Sequence, residues 1–240
     1  EQAQEKEITN AMLKVLRERR EVVYMSSGHG EKGVGNGERD FGLIRQRLQE
    51  IDYSVEDSLF IARAGEIPED CAVLVIAGPT TPFLSTEVEA VRRYLEGGGA
   101  VLVFLDPLYQ GGLEALLGEW GVEVGDDFVI DRSGIGSLFG LDYITPVALN
   151  YGEHPITRKH QGVMTFYELV RSVHFKAPGG AGIKGVELAS TSADGWAETD
   201  LSVLQAQGKA TVALDEGVDR PGPVSLAVAA ARNGAGENSG

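Results

Sequence analysis

The polar residues best suited to chemistry lie together in one glycine-rich segment. Ser26, Ser27, His29 and Glu31 directly follow an apolar strand candidate at 21–25. A serine beside a histidine would suit nucleophilic hydrolysis, and a histidine beside a carboxylate would suit acid–base catalysis or metal binding. However, residues two or three positions apart on one loop seldom form a working nucleophile–base pair. The chain also contains no G-x-S-x-G nucleophile elbow.

A metal centre at this segment lacks ligands. Protein metal sites take at least three side-chain ligands, and the remaining histidines lie more than a hundred residues away, at His154, His160 and His174. We therefore expect no metal. The favoured interpretation is that His29 and Glu31 hydrogen-bond to the loop backbone and fix its turn, and contact with a ligand is the alternative.

Nucleotide-binding signatures are incomplete. Gly33, Gly35 and Gly37 alternate with other residues, whereas the dinucleotide motif requires the spacing G-x-G-x-x-G directly between a strand and a helix. The Walker pattern is absent as well. No cofactor is predicted.

Strand and helix signals alternate through the first half of the chain. Continuous apolar runs of this length, bounded by turn residues, are typical of strands in a parallel sheet. Thr86 and Glu89 have the spacing of a capping box at a helix start. The predicted elements are a helix at 4–19, strands at 21–25, 53–59, 72–77 and 100–105, helices at 38–50 and 86–96, and a short helix at 113–120.

This alternation predicts an α/β fold with a doubly wound, mostly parallel sheet, flavodoxin-like or amidotransferase-like. The predicted organisation is a core sheet domain at 1–120 and a less regular α+β region at 121–231. That second region either extends the same sheet or forms a small second lobe. Residues 232–240 are expected to form a loose tail.

The predicted sheet indicates where a site would be. Ligands of open parallel sheets lie beyond the carboxyl ends of the strands, at the point where the strand order reverses. With the order 2-1-3-4, that point lies between the loops 28–37 and 78–82, whose glycines suit close approach of a ligand or of another backbone. The candidate binding residues are Gly28, His29, Gly30, Glu31, Gly78, Pro79, Thr80 and, after the fourth strand, Asp106.

Composition restricts the possible partners. The 240 residues carry a formal net charge of −15, which argues against a nucleic-acid binder and against docking of the whole chain on an anionic membrane surface. The one cysteine, Cys71, excludes an internal disulfide and is expected to be a small core residue. Cys71 precedes its strand, so it cannot be the elbow nucleophile of an amidotransferase-like sheet. The chain has no run of 18 apolar residues and does not start with Met, so we expect a soluble piece of a longer protein.

An ordered set of motifs resembles the GldG-type auxiliary components of ABC transport systems, which are associated with gliding motility. The apolar strand runs into Gly28-His29-Gly30-Glu31. The other motifs are Thr9-Asn10-Ala11-Met12, the stretch 75–87 that contains Gly78-Pro79-Thr80-Thr81-Pro82, Tyr94-Leu95-Glu96-Gly97-Gly98-Gly99, and Leu105-Asp106-Pro107.

This resemblance implies a membrane-anchored protein with a large extracytoplasmic (periplasmic) region that accompanies an ABC permease and ATPase. It also implies a sheet domain similar to one in intraflagellar-transport proteins, and it brings no catalytic residues. We therefore expect a non-enzymatic accessory domain that binds a partner protein or small ligand. The alternatives are a sugar- or peptide-binding domain and, less favoured, an amidotransferase-like hydrolase.

Overall fold

The computed structural model describes residues 21–232, except 36, 38, 39, 179–181 and 206–211. The predicted helix at 4–19 and almost all of the tail at 232–240 lie outside the described residues. The chain divides into two compact units, Glu1–Phe104 with Gln110–Gly112, and Leu105–Tyr109 with Leu113–Gly240. Each unit is described separately below.

The first unit is built on a four-stranded parallel sheet. Its strands are β1 (Val22–Ser26), β2 (Ser54–Leu59), β3 (Cys71–Ala77) and β4 (Ala100–Phe104), in the spatial order β2-β1-β3-β4. Every neighbouring pair is parallel. The predicted strand order is therefore confirmed. The helices between the strands are α1 (Gly42–Glu50), α2 (Ile61–Ala64) and α3 (Ser85–Glu96).

The apolar runs of the central strands form much of the core of this unit. Val23 and Met25 of β1 pack with Val75 and Ala77 of β3, and all four are buried. Parallel strands covered on both faces need such continuous apolar sequences. The sequence therefore predicts these strands, because a strand buried on both faces has no solvent-facing positions for polar residues.

Three expectations for this unit need correction. Strand β4 is an edge strand in the sheet order, and it exposes one face, with Leu102 at 47% and Phe104 at 41%. Cys71 is only half-buried, because it lies at the first position of β3. Helix α3 begins at Ser85, with Leu84 as its N-cap, so Thr86 and Glu89 do not form the predicted capping box.

The second unit is mostly antiparallel and made of short strands. After α4 (Glu114–Glu119), its strands are β5 Val122–Val124, β6 Phe128–Asp131, β7 Val147–Ala148, β8 Asn150–Tyr151, β9 Thr165–Phe166, β10 Val173–Phe175, β11 Ile183–Ser190, β12 Gly195–Glu198, β13 Arg220–Pro221 and β14 Ser225–Arg232, with 3₁₀ turns at Gly136–Phe139 and Leu201–Gln205. They form a two-stranded sheet β10-β5, a three-stranded sheet β14-β11-β8, a three-stranded sheet β13-β12-β6 and a two-stranded sheet β7-β9. This agrees with the less regular α+β character predicted for that half.

The second unit contains its own core. Fully buried residues include Phe128, Val129 and Ile130 of β6, which pack into two apolar clusters. The sequence pattern predicts short strands at 122–124, 128–131, 186–190 and 225–231, and all four fall within observed strands. No helix in the described part of the chain is both long and apolar enough to cross a membrane.

Candidate functional site

The two glycine-rich loops that follow β1 and β3 contact each other directly. The carbonyl oxygen of His29 accepts hydrogen bonds from the backbone N–H of Thr80, at 2.8 Å, and of Thr81, at 3.1 Å. The backbone N–H of Lys32 donates to the carbonyl of Ala77 at 2.8 Å. The space at which the strand order reverses is thus bridged by backbone. The sequence predicts close approach of either a ligand or another backbone at these glycines, and in the described loops another backbone makes that approach.

Two glycines permit this close approach. Gly30 has φ +82°, and a Cβ atom built on it would overlap the hydroxyl oxygen of Thr80. Gly28 has φ +126° and lies under the ring of Phe60, with its ideal Cβ position 3.5 Å from Cδ1. Both backbone conformations are ones that residues with a side chain rarely adopt. The Gly-His-Gly sequence is therefore a requirement of the loop's geometry.

The Glu31 carboxylate braces its own loop. One oxygen accepts a hydrogen bond from the hydroxyl of Ser26 at 2.9 Å, and the other accepts the backbone N–H of His29 at 2.7 Å. Ser26 is buried. These contacts are the loop-fixing hydrogen bonds predicted for Glu31, because they join the end of β1 to the turn that follows it.

The imidazole of His29 makes a different contact, with a residue that the sequence reasoning missed. Its Nε2 lies 2.9 Å from one carboxylate oxygen of Glu87 and 3.0 Å from the other. Its ring stacks on Phe83 with a centroid separation of 4.2 Å. The Glu87 carboxylate also accepts the backbone N–H of Leu84 at 2.9 Å, which satisfies one of the free amides at the start of α3.

Glu87 is a carboxylate with only 2% of its surface exposed. Buried carboxylates are rare unless they are paired, and His29 and the Leu84 amide provide that pairing. A sequence signal existed, since Glu87 is three residues after Leu84, the spacing of a reciprocal helix cap. The sequence motif did not identify this cap, because the N-cap is a leucine and lacks the side-chain acceptor that defines a capping box.

The polar side chains form two separate pairs and no catalytic relay. Ser26 donates to Glu31, and His29 contacts Glu87, while no hydrogen bond joins Ser26 to His29 in the described structure. A hydrolase that used Ser26 as its nucleophile and His29 as its base would bring these two side chains into contact. Nor do three or more His, Cys, Asp or Glu side chains among the described residues converge to hold a metal ion.

The remaining predicted site residues divide between the units. Gly78 has φ +66° and donates its N–H to the carbonyl of Phe104 at 3.0 Å, and Pro79 beside it is buried. Thr80 is exposed. Asp106 is half-buried and belongs to the second unit, so it is not grouped with the other seven.

Exposed apolar side chains surround the joined loops. Phe60, directly after β2, is 50% exposed, and Leu84, at the start of α3, is 58% exposed. An open groove of about 540 Å³ lies alongside, lined by residues of α2 and α3 and their ends, which are Ile61, Ala62, Gly65, Ser85, Thr86, Glu87, Glu89 and Arg93. We call Phe60, Thr80, Leu84 and this groove the loop surface.

A family model described as "ABC-type uncharacterized transport system" matches residues 20–236. The chain belongs to this family. The match spans both units, and it supports an accessory role in a transport system. The family match does not distinguish a GldG-type component or a role in gliding motility from other members of the family.

Solved structures give a comparison of the fold. The chain is similar to the "mmIFT52 N-terminal domain", with 18% identity over 72% of this chain and 74% of that one, and a TM-score of 0.58. At this identity the likeness concerns the fold alone, and it agrees with the expected similarity to an intraflagellar-transport sheet domain. A structure described as a thua-like protein from Bacteroides uniformis ATCC 8492 matches with 12% identity over 72% of this chain and 68% of that one, at a TM-score of 0.43. No curated protein matches the chain.

Proposed function

We propose that the chain is a non-enzymatic accessory domain of an ABC-type transport system, and that its loop surface binds a partner protein. The observation that carries this proposal is the closure of the crevice between the β1 and β3 loops by backbone hydrogen bonds, with exposed Phe60 and Leu84 beside it. These hydrogen bonds already use backbone groups that a ligand between the loops would otherwise contact. Exposed large apolar side chains that lie close together mark interaction sites on ordered surfaces.

The partner in this proposal is the permease–ATPase complex of the same transporter, which an extracytoplasmic domain contacts through the permease. Family membership over residues 20–236 supports that choice. The proposal also includes the more specific features that the resemblance of the motifs implies. These are a GldG-type role in gliding motility, a flavodoxin-like or amidotransferase-like sheet, and an extracytoplasmic, periplasmic location in a membrane-anchored protein.

The proposed role is not enzymatic. The separate pairing of Ser26 with Glu31 and of His29 with Glu87 supports this part of the proposal. Its test is a screen of esterase, amidase and glycosidase substrates with the wild type and with His29→Ala. The proposal expects no turnover above buffer in either protein. Turnover in the wild type that the substitution abolishes would contradict it.

A second candidate function is binding of a sugar or peptide in the groove lined by α2 and α3. The groove supports it through its volume of about 540 Å³, its exposed Ser85 and Thr86, and its buried carboxylate Glu87. A ligand that binds only the folded chain stabilises it and so raises its thermal midpoint. At a ligand concentration of a hundred times the Kd, the free energy of unfolding rises by about 2.7 kcal/mol. A sugar or dipeptide that raises the midpoint in the wild type, but not in Thr86→Trp, would replace partner binding as the favoured function.

Partner binding is tested with immobilised full-length protein and purified permease–ATPase complex. The proposal expects saturable binding that Phe60→Ser and Leu84→Ser each weaken about tenfold, because each removes an exposed apolar contact. Leu43→Ser is the matched control, since Leu43 is 67% exposed on α1 of the same unit. Equal binding by all three variants would exclude the loop surface as the contact.

A further inference from the structure

One loop of the second unit combines exposed aliphatic side chains with two basic residues and no acidic ones. We call residues 154–164 the basic–aliphatic loop. It contains Arg158 and Lys159 and no Asp or Glu, in a chain whose net charge is −15. Its aliphatic residues are exposed, with Ile156 at 60%, Val163 at 46% and Met164 at 39%.

Hydrogen bonds hold this loop in an ordered shape. Thr157 is buried, and its hydroxyl donates to the carbonyl of Gly152 at 2.5 Å. The backbone N–H groups of Thr157 and Arg158 donate to the carbonyl of His154, at 3.0 and 2.9 Å. The N–H of Val163 donates to the carbonyl of His160 at 2.9 Å, and the His160 ring contacts Tyr151 of β8. The aliphatic side chains thus project from an anchored loop.

A second group of exposed apolar residues includes one that follows the loop closely in sequence. Phe166 of β9, two residues after Met164, is 42% exposed and meets Phe139 edge-on at a centroid distance of 5.4 Å. Phe139 is 54% exposed and Leu138 beside it is 82% exposed. Groups of exposed apolar side chains mark interaction sites.

We propose that the basic–aliphatic loop docks on an anionic lipid surface. Along the sequence, the two cations lie between exposed Ile156 and exposed Val163 and Met164. That arrangement allows aliphatic side chains to enter the headgroup region while Arg158 and Lys159 contact lipid phosphates.

The net charge of −15 does not oppose this docking at close range. At physiological ionic strength the Debye length is about 8 Å, so charges farther from the bilayer than this are largely screened. The nearest exposed carboxylates in sequence are Glu153, just before the loop, and Glu168, just after β9. The local charge of the loop itself is positive. The whole-chain argument against anionic membranes therefore does not apply to this segment.

The test is co-sedimentation of the 240-residue chain with vesicles of phosphatidylcholine containing one-quarter phosphatidylglycerol, and with phosphatidylcholine alone. The proposal expects binding to the mixed vesicles at 50 mM salt, with loss at 500 mM salt, and weaker binding to phosphatidylcholine. Each basic residue close to an anionic surface strengthens binding about fivefold, so Arg158→Gln with Lys159→Gln should weaken it roughly 25-fold. Ile156→Ser should weaken it by up to about tenfold.

A matched double variant separates docking from a general effect of charge. Arg47→Gln with Lys176→Gln removes two exposed cations, 68% and 76% exposed, outside the loop, and should leave vesicle binding unchanged. Circular dichroism checks that every variant is folded, and Val163→Ser replaces Ile156→Ser if that variant is not. Three results would overturn the proposal. They are no binding to anionic vesicles at 50 mM salt, equal loss in both double variants, and loop-dependent binding to the permease without vesicle binding.

Discussion

At the scale of single residues, the buried Glu87 carboxylate connects a loop to a helix. It contacts His29 Nε2 at 2.9 Å and accepts the Leu84 N–H. Removing one partner of a buried pair leaves the other uncompensated, so Glu87→Ala should lower the free energy of unfolding by about 3 kcal/mol. Glu87→Gln keeps hydrogen-bonding atoms and should lose about 1 kcal/mol. Urea denaturation measures both losses.

Glu89→Ala is the control for this comparison. Glu89 is in the same helix, pairs with Arg92, and has a side chain that is 53% exposed. Exposed ion pairs contribute little, so the loss should be about 0.5 kcal/mol or less. Equal losses for Glu87→Ala and Glu89→Ala would show that the contact between His29 and Glu87 does not stabilise the unit.

Cys71 allows a residue-scale prediction about pH. Burial raises the pKa of its thiol above the ordinary value of 9.0. Only the thiolate reacts, so a higher pKa means less thiolate at pH 8 and slower reaction. We expect native Cys71 to react with a disulfide reagent more slowly than it does in 8 M urea, with a pH–rate midpoint shifted upward. A native midpoint at or below that of the unfolded chain would contradict this.

At the scale of elements, the fold depends on the contact between the loops after β1 and β3. Gly30→Ala should cost about 3 kcal/mol, because strain at φ +82° adds to the overlap with the Thr80 hydroxyl. Gly65→Ala is the control, since Gly65 has φ +76° and nothing within 4 Å of its ideal Cβ, and it should cost about 1 kcal/mol.

Thr80→Ala tests the same contact from the other loop. It removes the hydroxyl that a side chain at Gly30 would overlap, so the double variant should be more stable than the sum of the single changes by about 1–2 kcal/mol. Thermal or urea denaturation of all four proteins measures this coupling. Simple additivity would mean that the loops do not touch as described.

Elements also explain which parts of the structure the sequence could predict. The apolar run at 72–77 marks a buried strand because burial on both faces excludes polar residues, and the strand order followed from the usual doubly wound arrangement. The contact between His29 and Glu87 could not be predicted, since 58 positions separate the partners and no periodicity links them. The two-residue strands β7, β8, β9 and β13 are too short to leave an alternating pattern.

At the scale of the whole molecule, net charge describes the chain poorly. The value of −15 argues against a general nucleic-acid binder, yet residues 154–164 contain no carboxylate side chain. Surface properties therefore have to be assigned to particular segments. The loop surface of the first unit and the basic–aliphatic loop of the second are such segments, and they lie on separate units.

The most direct test of the central claim is affinity capture of the full-length protein from membranes of its native host, with quantitative mass spectrometry. The account predicts that an ABC permease and ATPase are enriched with the wild type and with Leu43→Ser. It predicts that both subunits fall about tenfold with Leu84→Ser, which removes an apolar side chain from the loop surface. Capture without any ABC subunit, or equal recovery with all three proteins, would contradict the account.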